Sequence, residues 1–328
     1  MNRRAFLCAL GAAGAAAAAP VQAAGVLARE AHAATPGNEP LATLFDLSKC
    51  VGCGACVEAC REAHQGRYPE PRKPFPKMRP SRVKVEDFSQ ARDVNDRLTP
   101  YNYLFIQSVT VEKDGQSLDL NIPRRCMHCL HPPCVELCPW GSAMKYPDGA
   151  VAIDDSICLG GAKCRKVCPW HIPQRQTGVG LYLDLAPSYA GNGVMYKCDR
   201  CHERVSAGEL PACVGACPNE VQTIGPRSQI LQQARELAAR TGGFLYGAEE
   251  NGGTNTIYVS PVPFDSIDKA IEKGPGKPGM GKVADAMADE ANLASAVFLA
   301  PVAGVAAGIL KLVGAFKKKD EKKDDDHA

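Results

Sequence analysis

The chain has 328 residues, which is enough for one large or two ordinary domains, and its formal net charge is only +2. That small charge offers no basic footprint for nucleic acid. The chain contains 16 cysteines, whereas aromatic residues make up only 6% of it, and a core of this kind is typically held by metal or by disulfides. No nucleophile–base pair, phosphate-binding loop or nucleotide fingerprint stands out, which argues against an active site of its own.

Residues 1–33 have the features of an export signal. Arg3 and Arg4 precede an uncharged run rich in Ala and Gly, a pattern typical of the twin-arginine address. That route carries folded proteins, which suits a chain that receives its metal before export. Small residues offer cleavage sites at Ala23 and Ala33, of which we prefer Ala33. An uncleaved membrane anchor is the alternative.

Four cysteine-rich loops follow a predicted linker over residues 34–45. In chain order their thiols are Cys50, Cys53, Cys56 and Cys60; Cys126, Cys129, Cys134 and Cys138; Cys158, Cys164 and Cys168; and Cys198, Cys201, Cys213 and Cys217. A disulfide framework is disfavoured because these cysteines are odd in number and closely spaced. Structural zinc explains a single Cys-x-x-Cys pair but not the repeated three-residue step to Cys-Pro. That step is typical of ferredoxins, so the pattern predicts iron–sulfur clusters.

Short hairpins are predicted between the cysteine loops. Residues 103–122 read as strands with a turn at Asp114-Gly115, and Asp148-Gly149 leads into a second hairpin. Residues 67–80 and 181–194 lack an apolar period and are predicted to be surface insertions.

The C-terminal part is predicted to contain two helices. Pro226 introduces the first, within an extension over residues 226–290, and its core-facing stripe is Ile230, Leu231, Ala234, Leu237 and Ala238. A second segment is uncharged for about twenty residues, enough to cross a hydrocarbon core. We therefore expect a transmembrane helix over residues 291–316 and a charged cytoplasmic tail over 317–328. A buried or interfacial helix is the alternative.

The four loops, in their order and spacing, resemble the iron–sulfur subunits of the dimethyl-sulfoxide-reductase and formate-dehydrogenase type. Within that family, the two ends of the chain and the stretches Cys50-Val51-Gly52-Cys53 and Cys126-Met127-His128-Cys129 resemble the HybA-type subunit of quinone-linked nickel–iron hydrogenases. The resemblance implies an α+β fold: two interleaved bacterial ferredoxin-like two-cluster units with loop insertions over residues 46–225, plus the C-terminal transmembrane helix.

The resemblance also implies how the cysteines are shared among clusters. The expected ligand sets are Cys50, Cys53, Cys56 and Cys217 for the first; Cys60, Cys198, Cys201 and Cys213 for the second; Cys126, Cys129, Cys134 and Cys168 for the third; and Cys138, Cys158 and Cys164 for the fourth. Gly161 stands where a further cysteine is expected. Nitrate-reductase beta subunits also replace that cysteine and hold a three-iron cluster there. The expectation is three [4Fe–4S] clusters and one [3Fe–4S] cluster; a four-iron cluster with water or another non-cysteine ligand is the alternative.

Other conspicuous side chains lie close to the cysteines. His128, His131, His171 and His202 are expected to surround the clusters rather than to bind iron, because the cysteines already supply ligands. We expect Trp140 and Trp170 to shield clusters from water. Three interpretations are open for the basic residues Lys163, Arg165 and Lys166. They could dock a partner, raise the reduction potential of a cluster, or form an ordinary solvated surface.

The resemblance implies an electron-transfer subunit that is not an enzyme on its own. It would connect a periplasmic catalytic subunit, a nickel–iron hydrogenase contacted through its small subunit, with an integral membrane quinone-binding subunit. The same role in another respiratory complex is the alternative, with a molybdenum enzyme, a nitrite or polysulfide reductase or a multihaem cytochrome. A structural zinc or disulfide interaction protein is a remote alternative. The expected location is the periplasmic side of the cytoplasmic membrane, in contact with lipid, and no nucleic-acid partner is expected.

Overall fold

A computed structural model describes residues 39–79 and 84–298, together with residues 305 and 309. The expected export signal and charged tail, and most of the expected transmembrane helix, lie outside the described residues. Residues 290–298 are helical. Within the described ranges, no helix combines the length and the apolar character needed to cross a membrane.

The described residues form short strands and helices separated by long loops. The strands are β1 (Leu41–Asp46), β2 (Phe105–Lys113), β3 (Gln116–Arg124), β4 (Ala143–Lys145), β5 (Val151–Ile153), β6 (Gln174–Gln176), β7 (Val194–Tyr196), β8 (Gln222–Pro226), β9 (Phe244–Tyr246) and β10 (Thr256–Ser260). The helices are α1 (Ala55–His64), α2 (Pro133–Glu136), α3 (Lys163–Val167), α4 (Tyr182–Leu185), α5 (His202–Ser206), α6 (Ala212–Gly215), α7 (Arg227–Thr241) and α8 (Phe264–Ala270), with 3-10 turns at Leu47–Lys49, Gln65–Arg67 and Glu250–Gly252. This mixture confirms the predicted α+β class.

A four-stranded sheet joins the N-terminal and C-terminal parts of the described chain. Its strand order is β8–β1–β10–β9, with β1 parallel to β10 and antiparallel to β8. Residues 41–45, which the sequence placed in a linker, therefore form most of a central strand. The sequence pattern misses this strand because both of its faces are buried, so polar and apolar residues do not alternate. The extension over 226–290 likewise belongs to this sheet, through β9 and β10.

Helix α7 packs on one face of that sheet, as its apolar stripe predicts. Ile230 and Ala234 are fully buried against Ala42 and Leu44 of β1 and Ile257 of β10. The helix begins directly after Pro226 and ends at Gly242, whose φ of 63° is the left-handed conformation common at helix ends. The stripe is therefore core packing rather than a binding face.

Both predicted hairpins are present. β2 and β3 pair from Phe105 with Arg124 to Lys113 with Gln116, and the two turn residues Asp114 and Gly115 both have positive φ. Two positive φ angles define the type I′ turn, which matches the twist of the strands. The second hairpin pairs β4 with β5, and a third, between β6 and β7, was not predicted.

The two predicted insertions pack against each other. The backbone N–H of Arg79 donates to the carbonyl oxygen of Ser188 at 2.9 Å, and Arg72 forms an ion pair with Asp184 at 3.3 Å. The N–H of Arg72 also donates to the carbonyl oxygen of Gly178 at 2.8 Å. The second insertion also reaches the third cysteine loop, since the N–H of Asn192 donates to the carbonyl oxygen of Leu159 at 3.0 Å.

Replacing Ile230 with Ala tests the role of α7 in the core. We expect the free energy of unfolding of the holoprotein to fall by about 2–5 kcal/mol, because a fully buried side chain leaves a cavity. Gln233→Ala, at an exposed position of the same helix, is the control and should change it by less than about 0.5 kcal/mol. Equal effects of the two substitutions in denaturant titrations would contradict this packing.

Candidate metal centres

The four cysteine loops share one backbone feature. The residue two positions after the first cysteine has positive φ in each: 72° at Gly52, 49° at His128, 66° at Gly160 and 62° at Arg200. In the last loop this turn brings the N–H of Arg200 to 3.3 Å from the sulfur of Cys198. Turns of this kind point backbone N–H groups at anions, so the loops are shaped to surround thiolates.

The first site lies closest to the surface. Cys50, Cys53, Cys56 and Cys217 line one cavity, and Cys53 is exposed. The backbone N–H of Val221 donates to the sulfur of Cys217 at 3.3 Å. Burial raises the pKa of the Cys56 thiol to about 12. The cysteine spacing in the first loop and the return of the fourth loop together make this four-thiol site.

The second site is deeply buried. Burial raises the pKa of Cys198 to about 12, and the neighbouring thiolate of Cys60 contributes to that rise. Burial likewise raises the pKa of Cys213 to about 11, with contributions from Cys198 and Cys201 that the cation of Arg125 opposes. These four thiols are therefore electrostatic neighbours, as the expected ligand set requires.

The third site is a cavity lined by Cys126, Cys129, Cys134 and Cys168. Trp170 also lines it, is only 3% exposed, and donates from Nε1 to the hydroxyl of Tyr246 at 2.8 Å. This hydrogen bond fixes the indole over the cavity. Trp170 therefore shields the site from water, as expected.

The fourth site brings together Cys138, Cys158 and Cys164. Burial raises the pKa of the Cys164 thiol, and the neighbouring thiolates of Cys158 and Cys138 raise it further. The N–H of Met195 donates to the sulfur of Cys158 at 3.5 Å. Gly161 offers no ligand atom, and a Cβ built there would meet only the Trp140 Nε1 atom at 3.8 Å. The position of Gly161 therefore has room for a side chain that the sequence does not supply.

The four sites form a row. In three places a thiolate of one site raises the pKa of a buried thiol in the next: Cys213 acts on Cys56, Cys126 on Cys198, and Cys134 on Cys164. These interactions link the first site to the second, the second to the third and the third to the fourth. A series of neighbouring redox sites of this kind can pass electrons from one to the next.

His128 contacts a cysteine of a different loop. It is fully buried, and its Nδ1 atom accepts the backbone N–H of Val151 at 3.0 Å. The remaining proton is therefore on Nε2, which lies 3.6 Å from the sulfur of Cys198. Burial and the cation of Lys197 lower the pKa of His128 well below its usual value, so the ring is neutral. His128 therefore lies beside the second site with a protonated Nε2 directed at a thiol, which supports the expected role of a neighbour rather than a ligand.

Two of the other predicted histidines contact groups other than thiols. His202 stacks on Tyr146 with ring centroids 3.5 Å apart, and His171 contacts the carbonyl oxygen of Arg165 at 3.1 Å. The guanidinium of Arg165 is itself paired with Glu86 at 2.7 Å. Its charge is therefore largely neutralised within the chain, which weakens the prediction that Arg165 docks a partner.

His64 was missed by the sequence reading. Its Nδ1 atom donates to the carbonyl oxygen of Cys60 at 2.7 Å and its Nε2 atom to Asp199 at 3.2 Å. Burial would lower the pKa of His64, but hydrogen bonds to Asp199 and to the Cys201 and Cys60 thiolates raise it above its usual value. The sequence clue is the spacing, because His64 follows Cys60 by one turn of α1.

The buried cations Arg125 and Lys197 were also missed. Arg125 is 1% exposed and follows β3 directly, whereas Lys197 follows β7 and donates from Nζ to the carbonyl oxygen of Cys198 at 3.1 Å. Each lies one residue before a loop cysteine, which is the available sequence clue. Lys197 interacts with Cys126 and Cys134 of the third site and Cys198 of the second, whereas Arg125 faces the second site.

The donor set fits iron–sulfur clusters. All fifteen cysteines of the described residues are free thiols, and soft thiolates are the ligands such clusters take. Burial without metal favours the uncharged thiol at Cys56 and Cys134, since it raises the pKa of each to about 12. Bound iron would hold them as thiolates and compensate the cost of burying them.

Comparisons with known proteins agree with this arrangement. Two family models described as 4Fe-4S dicluster domains match residues 49–142 and 119–227, which include every cysteine of the four loops. A protein of Nitratidesulfovibrio vulgaris is 31% identical over 84% of this chain and 68% of its own length. Hydrogenase-2 operon protein HybA of Escherichia coli O157:H7 is 29% identical, over 74% of this chain and 78% of its own length. The iron-sulfur subunit of the nitrate-inducible formate dehydrogenase of Escherichia coli K12 is 27% identical, over 88% and 90%.

Two adjacent glycines give a sharp test of the fourth site. Gly160→Ala should disrupt it, because φ is 66° there and the added Cβ would lie 2.5 Å from the carbonyl oxygen of Gly193. Gly161→Ala should leave it intact, since the nearest atom would be 3.8 Å away. Iron and acid-labile sulfide per chain, measured on both variants, check this. Equal metal content in the two would show that the loop geometry is wrong.

Proposed function

Because the chain belongs to the family of ferredoxin-type iron–sulfur electron-transfer subunits, we propose that it relays electrons between a periplasmic catalytic subunit and a membrane quinone-reactive subunit. The observation that carries this proposal is the row of four thiol sites. Every cysteine of the four loops belongs to that row. The chain thus supplies a path for electrons and leaves substrate chemistry to a partner.

The proposed ligands are the four cysteine sets described above. Bound clusters would supply one-electron oxidation and reduction. The chain contributes the spacing of the sites, the backbone N–H groups that face Cys198 and Cys217, and the indole of Trp170 that excludes water. Three sites with four thiols suit [4Fe–4S] clusters.

The fourth site is proposed to hold a [3Fe–4S] cluster. It has three thiols, and the family's spacing puts Gly161 where a fourth cysteine is expected. A three-iron cluster has no iron atom at that corner, so it needs no fourth protein ligand there. Cluster type is a main determinant of reduction potential, and a three-iron cluster would make this end of the row the more oxidising end.

The two ends of the row suggest where partners bind. At the first site Cys53 is exposed and the side chain of Val51 is 67% exposed, so a redox partner can approach closely. We place the catalytic subunit there. The membrane subunit would then approach the fourth site, at the opposite end of the row.

The catalytic partner is proposed to be a nickel–iron hydrogenase, contacted through its small subunit. The likeness to HybA supports this choice. A molybdenum enzyme such as formate dehydrogenase is the second candidate, because the formate dehydrogenase subunit aligns over a larger share of both chains.

Export and anchoring are proposed from sequence motifs near the two ends of the chain. The twin arginine at Arg3-Arg4 supports export of the folded chain, and the uncharged stretch within residues 291–316 supports a C-terminal transmembrane helix in contact with lipid. The cluster-binding part would then lie on the periplasmic side of the cytoplasmic membrane.

Gly161→Cys tests the proposed cluster type. The new thiol should complete the fourth site and convert its three-iron cluster into a four-iron cluster, since the position has ordinary space for a Cβ. Paramagnetic resonance of the oxidised protein should lose the three-iron signal. Gly161→Ala, which adds no ligand, should keep it. A fully iron-loaded, unaltered chain without any three-iron signal would contradict the proposal.

Purification through a tag on this subunit tests the partners. Membranes solubilised in mild detergent should yield the tagged chain with a nickel–iron large subunit and with hydrogen-dependent quinone reduction. A co-purifying molybdenum enzyme instead of the nickel–iron subunit, with no hydrogen-dependent activity, would replace the proposed partner and leave the relay intact.

Protease treatment of spheroplasts tests the location. Protease added from outside should digest the cluster-binding part. Recovery of the chain in the cytoplasmic fraction would contradict the proposed location.

A further inference from the structure

Arg125 is a buried cation directed at the second site. Its side chain is 1% exposed, and its Nη1 atom lies 3.8 Å from the sulfur of Cys213. Its Nε and Nη2 atoms have no hydrogen-bond partner in the described part of the chain. A guanidinium is always charged in proteins, and leaving its donors unpaired in a core is costly.

Two other buried or nearly buried arginines in the described ranges are paired with acidic residues. Arg200 pairs with Asp148 at 3.3 Å, and Arg175 pairs with Glu86 at 2.8 Å. Arg125 has no carboxylate within ion-pair distance among the described residues. Among the groups that it faces, the thiolates of Cys213 and its neighbours in the second site can balance its charge.

The guanidinium is held in place by aromatic packing. Its central carbon lies over the ring of Phe45, 5.1 Å from the centroid, and that ring stacks on Tyr258 at 4.8 Å. A cation between an aromatic face and thiolates is attracted from both sides. Because neither ring nor guanidinium reaches solvent, salt cannot screen the charge effectively.

Two N–H groups reinforce the same polarity. The Nε2–H of His128 lies 3.6 Å from the sulfur of Cys198, and the backbone N–H of Arg200 lies 3.3 Å from it. Hydrogen bonds to ligand sulfurs and the net charge around a cluster both determine its potential. The second site is thus surrounded by positive ends of dipoles as well as by a full charge.

We propose that Arg125 acts as a fixed positive charge that raises the reduction potential of the cluster in the second site. The proposal rests on the proposed function, in which Cys60, Cys198, Cys201 and Cys213 hold that cluster. Reduction adds negative charge, so a nearby unscreened cation stabilises the reduced form. The second site would therefore hold an electron more tightly than its thiol ligands alone dictate. Arg125 is a tuning residue and not a ligand.

Arg125→Met and Arg125→Gln test the proposal. In the full chain, potentiometric titration followed by paramagnetic resonance should show the second cluster at lower potential. At a fixed potential the ratio of reduced to oxidised cluster should fall at least tenfold, which is 59 mV for a one-electron couple. Arg125→Lys keeps the charge and should restore most of the difference. Loss or change of a signal in Cys201→Ser protein assigns the second cluster.

Arg124→Met is the matched control. Arg124 is 2% exposed, but its guanidinium donates to Gln107 at 2.7 Å and to the carbonyl oxygen of Gly279 at 2.8 Å. Its removal should not move the potential of the second cluster. Equal shifts in the Arg124 and Arg125 variants, or none in the neutral Arg125 variants, would overturn the inference.

Failure of the proposed function gives a different result. If the unaltered chain shows no signal that depends on Cys201, the second site holds no cluster, and the relay itself is wrong. If the cluster assembles and only its potential is insensitive to Arg125, the relay stands and the tuning role does not. Should Arg125→Met protein fail to assemble, the Arg125→Gln variant, which retains a polar amide, provides the same measurement.

Discussion

The structure depends on compensating the burial of its thiols. Cysteines from all four loops belong to the main buried core, alongside side chains such as Phe105 and Ile122. Burial raises the pKa of Cys56 and of Cys198 to about 12, so these buried groups are stable only as neutral thiols or as metal ligands. Bound iron–sulfur clusters would compensate the free-energy cost of burying these groups as thiolates. The clusters would then form part of the core, which explains how a chain with few aromatic residues has a stable interior.

Strand pairing decides which loops share a site. In the four-stranded sheet Phe45 pairs with Gln222, which brings the start of the first loop beside the end of the fourth. In the β4–β5 hairpin Ala143 pairs with Ile153, which brings the end of the second loop beside the start of the third. The first and fourth loops therefore form one pair of sites and the second and third loops another, so the hairpins and the sheet set the order of the row.

Local patterns predicted much of this, and distant contacts account for the rest. The turn at Asp114-Gly115 and the stripe containing Ile230 depend on neighbours in the sequence, and both are confirmed. The parallel pairing of β1 with β10 joins segments about two hundred residues apart, which no local period reveals. For the same reason the cysteine spacing predicted that His128 is not a ligand but could not predict that His128 faces Cys198. The spacing also gave no indication that Arg125 faces Cys213.

Metal analysis of the unaltered full chain, purified without oxygen, tests the central claim most directly. Three [4Fe–4S] clusters and one [3Fe–4S] cluster predict about fifteen iron atoms and about sixteen acid-labile sulfides per chain, with broad visible absorption that bleaches on reduction. A folded, colourless chain that contains zinc and no labile sulfide would contradict the account, because thiols that hold zinc cannot carry electrons.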